Sequence, residues 1–144
     1  MQALISQHFT VPAALDADAT QAIKAQARSY VPQGTALAEH YPAVVMSYAS
    51  GRRDGQDCEG AGPGMYYAAA LLGLLHECGV QCFSDLTIPV GEDGNIFMLR
   101  IDGRKANAKV LLVLLTASFY QSKPCLKQVH AAIKKEVMLL PVRI

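Results

Sequence analysis

Apolar positions along this chain fall into short continuous runs, separated by stretches with helical spacing. Residues 43–48 (Ala-Val-Val-Met-Ser-Tyr), 80–83, 110–115 and 137–140 have the length and β-branched or aliphatic content of buried strands. Between them, residues 65–78 read as a helix with Gly79 placed for its C-terminal cap. Residues 95–106 are a weaker helical stretch that Gly103 frays, and residues 123–135 form a third helix. Strands alternating with helices at this spacing call for a parallel sheet with right-handed crossovers. The fold expected is α/β and flavodoxin-like, with strand order 2-1-3-4. No fifth strand is legible, so the run 137–140 should form an unpaired apolar edge, an aggregation hazard that self-association would cover.

Ahead of the first strand, residues 16–31 are alanine-rich and suit a helix capped by Asp16 or Asp18, with Ile23 and Tyr30 as its larger apolar contacts. Pro32 and Gly34 stop it. Residues 1–42 are therefore read as a helical extension or linker, and residues 43–144 as the domain proper.

In an open parallel sheet, ligands bind beyond the carboxyl ends of the strands, where the strand order reverses. That places candidate chemistry in residues 48–53 after the first strand, 85–91 after the second and 116–128 after the third. Tyr48 can stack on a ligand or cap the core. Arg52 and Arg53 can donate to a pyrophosphate or remain a solvated pair. The glycine-rich residues 60–64 precede a helix but lack the lysine and spacing of a P-loop. His130 stands two positions past Gln128 and so points to another face of its helix.

The polar residues of these loops carry a resemblance. Thr-Ala-Ser-Phe-Tyr-Gln-Ser-Lys-Pro-Cys-Leu-Lys-Gln, residues 116–128, resembles the segment of Toll/interleukin-1 receptor (TIR) domains that reads Ser-Pro-x-Tyr-x-x-Ser-x-Trp-Cys-x-x-Glu. Ser118, Phe119, Ser122 and Cys125 fit or nearly fit it; Thr116, Pro124 and Gln128 replace the serine, tryptophan and glutamate. Ser47-Tyr48 is similar to the family's first-strand box. Gly79, Phe83 and Asp85 fit its second-strand pattern, and residues 86–94, with Leu86, Pro89 and Gly91, resemble the BB loop through which such domains assemble. The loop of residues 50–64 is longer than usual. The family's fourth helix, fifth strand and final helix have no counterpart here, so the domain is either truncated or completed by something else.

The resemblance implies one of two functions. Some TIR domains cleave the nicotinamide–ribose bond of NAD⁺ in immune or cell-death signalling, with NAD⁺ as substrate and no further cofactor. Others are scaffolds that only self-associate. Cleavage develops an oxocarbenium-like centre that a carboxylate stabilises, and the family's glutamate is that group. With Gln128 in its place, a binding-competent but catalytically feeble site is expected. Tyr48, Ala49, Ser50, Arg52, Arg53, Asp85, Phe119, Ser122 and Cys125 are the substrate-binding residues this implies. A receiver domain, the alternative outside this family, needs paired acids after the first strand for magnesium, and residues 47–50 have none.

Charge and cysteine usage narrow the partners. A net charge of +1 and a pI near 7.7 supply no large field, which argues against nucleic acid or anionic lipid as a charge-driven partner. Cys58, Cys78, Cys82 and Cys125 are scattered through a chain that is 51% apolar, the usage of a reducing compartment, and a cytoplasmic location is expected. His76, Cys78 and Cys82 lack the second ligand pair of a zinc site. No apolar run approaches the roughly 20 residues that span a bilayer.

Overall fold

The computed structural model describes residues 17–49, 64–88 and 95–143. Helices and strands alternate: α1 Ala17–Ser29, β1 Val44–Ser47, α2 Gly64–Glu77, β2 Cys82–Ser84, α3 Asn95–Asp102, β3 Val110–Leu115, α4 Lys123–Lys134 and β4 Met138–Arg143. Short 3₁₀ turns occupy Leu37–Glu39, Asp85–Thr87 and Ala117–Gln121. The four strands pair in parallel in the order β2-β1-β3-β4, the flavodoxin-like topology expected from the alternation. Among the described residues no helix is long and apolar enough to cross a membrane.

Both faces of the sheet are covered, which is why β1 and β3 are apolar without alternation. On one face Val45, Phe83, Leu111 and Val113 pack against Phe97 and Ile101 of α3 and Ala131 and Ala132 of α4. On the other, Met46, Cys82, Leu112 and Leu114 meet Met65, Ala68 and Leu71 of α2 and Ala27 of α1. Ile23 and Tyr30 join this second layer as expected, and the Tyr30 ring stacks on His76 with centroids 4.4 Å apart. Helix α1 thus lies against α2 and against the Asp85–Thr87 turn.

Three of the boundaries that differ from the sequence reading have a clear local reason. Strand β2 begins at Cys82 instead of Val80 because α2 closes in a Schellman motif: Val80 N–H donates to the Leu75 carbonyl at 2.8 Å and Gly79 N–H to His76 at 3.0 Å. Gly79 supplies the left-handed φ of 76° that this closure needs. Helix α3 ends at Asp102, four residues short of expectation. At Gly103 the chain passes so near the helix that a Cβ would stand 2.4 Å from the Leu99 carbonyl oxygen.

Strand β4 runs on through Pro141 to Arg143 where a stop at Leu140 was expected. The Met138 N–H donates to the Lys109 carbonyl on the β3 side. Backbone N–H groups alternate sides along a strand, so the nitrogen at Pro141 faces away from β3, onto the open edge. A proline costs β4 nothing on its paired side, and it removes a donor from the outer edge. The edge is still apolar: Met138 is 63% and Leu140 48% exposed.

Candidate functional site

Strands β1 and β3 are adjacent, and the sheet order reverses between them. The chain beyond the carboxyl end of β3 is held tightly. After β3, the Thr116 hydroxyl lies 3.2 Å from that of Ser118, and a 3₁₀ turn then delivers the chain to Ser122, the N-cap of α4. The Ser122 Oγ accepts from the Cys125 N–H at 3.4 Å, and Pro124 sits in the first turn, where its missing N–H costs nothing. The cap sets the direction of α4, and with it the residues one turn on.

Two of those residues reach back to the end of β1. The Cys125 thiol lies 3.3 Å from the Tyr48 carbonyl oxygen. Three residues later, on the same helix face, the Gln128 Oε1 accepts a short hydrogen bond from the Ser47 hydroxyl. Gln128 is 4% exposed and Ser47 fully buried, so the contact is sealed between α4 and the end of β1. Both groups are neutral. The pair can orient a ligand hydroxyl by hydrogen bonding, but it brings no charge to a developing cation.

The remaining expected site residues are placed unevenly. Ala49, Phe119 and Cys125 are buried together in the layer beneath α3 and α4, with Phe119 2% exposed. Tyr48 is partly buried and packs toward the α2 layer. Asp85 opens the turn after β2, which Ser84 caps by accepting from Leu86 N–H at 3.1 Å. Leu86, expected among the assembly contacts, is wholly buried, and its side chain belongs to the core. Ser50, Arg52, Arg53, Pro89 and Gly91 lie outside the described residues. His130 is exposed, on a face of α4 other than that of Gln128. Burial pushes the Cys82 thiol up to about 12, so it remains protonated and unreactive.

Sequence reasoning named Gln128 as a site residue and met Ser47 only within the first-strand box, not as its partner; the signal was a lone hydroxyl in an otherwise apolar run. It also missed Arg100. This residue is 2% exposed and donates from Nε to the His40 carbonyl (3.1 Å), from Nη1 to Ile96 (2.9 Å) and from Nη2 to Leu37 (2.5 Å). Its guanidinium carbon lies 4.2 Å from the centre of the Phe83 ring and 4.4 Å from that of Tyr41. Arg100 stands three and four positions after Phe97 and Ile96, on the apolar stripe of α3, and that spacing was the available clue. No protein-family model, curated protein or solved structure matches this chain.

Proposed function

We propose that this chain is a TIR-like domain of the NAD⁺-cleaving lineage, which binds NAD⁺ over the β1–β3 crevice in immune or cell-death signalling and hydrolyses it poorly. The observation that carries this reading is the buried Gln128 amide, held by Ser47 at the switch point of a flavodoxin-like sheet. Its Oε1 stands where one oxygen of an isosteric glutamate would stand, and Ser47 can donate to either. The amide hydrogen-bonds a ribose hydroxyl but does not stabilise an oxocarbenium-like centre. At about 4 Å and an effective dielectric near 20, that missing attraction is roughly 4 kcal/mol, about three powers of ten in rate.

Gln128→Glu therefore raises nicotinamide release about a thousandfold at saturating NAD⁺, measured by chromatography, while NAD⁺ affinity changes far less. A glutamate variant that binds NAD⁺ and assembles, yet releases no nicotinamide, overturns the enzymatic reading. The second reading is a scaffold that acts by self-association alone. It is favoured by the exposed Met138 and Leu140 on the edge strand.

A further inference from the structure

We infer that the groove between α3 and α4 is a docking site for an acidic, leucine-bearing helix of a partner protein. The groove has a volume of about 550 Å³ and lies on the side of α4 turned away from Gln128. Met98, Leu126 and Ala131 give it an apolar floor, and Leu126 remains 45% exposed. Lys123, Lys127, His130 and Lys134 line it from α4, against the acid Asp102 from α3.

The charge pattern is not explained by the helix itself. Lys123 lies in the first turn of α4, which has no acid, so a cation sits where the helix dipole already presents positive charge. Spaced at i, i+4, i+7 and i+11, these basic residues form one stripe about 16 Å long, three turns of helix. A lysine-lined stripe alone would suit any polyanion. The apolar floor beneath it favours a ligand that presents acids and aliphatic side chains together, which an amphipathic helix does at i, i+3 and i+4.

A second copy of the chain fits the groove less well. The acids of the described residues are dispersed: Asp18 on α1, Glu39 and Asp85 in 3₁₀ turns, Glu77 ending α2, Asp102 ending α3 and Glu136 in the loop after α4. Glu39 is moreover engaged with Lys105 at 3.1 Å. Among the described residues, then, no acidic stripe is available to match the basic one, which favours a partner of different sequence.

The test uses the full chain and a fluorescein-labelled synthetic helix of about 14 residues, with leucine at i, i+3 and i+4 positions and glutamate elsewhere. Anisotropy should report binding that weakens when salt is raised from about 50 mM to about 300 mM. The double variant Lys127→Glu/Lys134→Glu should bind at least about tenfold more weakly, and Lys109→Glu, on another surface, should bind as the parent does. Should the reversed double variant melt early by circular dichroism, Lys127→Gln/Lys134→Gln carries the same comparison. Absence of binding, or equal binding to parent and double variant, overturns the proposal. So does equal affinity for a peptide with serine in place of leucine, since the groove would then attract any anion.

Discussion

Arg100 offers the most direct test of how the segment before β1 is fastened to the domain. Its guanidinium touches the Leu37 and His40 carbonyls, α3 and the Phe83 ring of β2 at once. Arg100→Met keeps the bulk and deletes the fork. Hydrogen bonds from a charged donor contribute about 1.5–3 kcal/mol each. The Ile96 and Leu37 carbonyls keep backbone partners, the latter the His40 N–H at 3.1 Å, so the full penalty falls chiefly on the His40 carbonyl. Stacking on Phe83 and Tyr41 adds about 0.5–2 kcal/mol per ring. Relief from burying a cation offsets part of the loss.

The net expectation is about 3 kcal/mol for Arg100→Met. Arg100→Lys should cost about 2 kcal/mol, since it keeps the charge but cannot present donors in a planar fork. Urea unfolding monitored by circular dichroism reads the difference: at a slope near 2 kcal/mol/M, the Met variant's midpoint falls by about 1.5 M. A Met variant within about 0.5 kcal/mol of the parent would refute the argument that this clamp organises residues 37–41.

His40 and Pro141 supply two further tests. Burial holds the His40 imidazole below its ordinary pKa; the Gln81 side chain works the other way and the Arg100 charge adds a smaller lowering, although neither ring nitrogen makes a well-formed hydrogen bond. The folded state thus binds fewer protons than the unfolded chain, so stability is full above the unfolded value of about 6.5 and falls as the pH drops below it. His40→Phe should flatten that loss in thermal melts between about pH 7.5 and about pH 5, and an equal loss in both proteins would count against it. Pro141→Val restores an edge donor and should leave the melting temperature nearly unchanged while increasing light scattering on heating. An unchanged scattering trace would show that the proline does not guard the edge.

The architecture was legible because its signals are local and repeated. Residues 110–115 form β3 as read, and the strand–helix alternation gives the sheet order once crossovers are right-handed. Boundaries failed where local backbone geometry decides them, as at Val80 and Gly103. The 3₁₀ turns were invisible because three to five residues carry no period. The site was half legible. Gln128 stood out through a family pattern, but Ser47 lies 81 positions away, and the contact depends on a helix cap that periodicity does not encode. The Arg100 clamp joins residues 60 and 63 positions apart, and its stripe position showed only that the arginine faces inward.

The Ser47–Gln128 contact also explains why fold alone does not separate the two proposed functions. An amide and a carboxylate have the same shape, and a serine hydroxyl donates to either, so α4 keeps its seat on β1 whichever residue stands at position 128. The difference between them is a buried charge. Desolvation raises the pKa of a carboxyl placed there, and the Ser47 hydrogen bond works the other way. The Gln128→Glu variant should thus gain turnover as pH rises through that pKa, whereas the parent's rate stays low and flat. The fold is then common to the enzymatic and the scaffold readings, and the dependence of rate on one proton is what tells them apart.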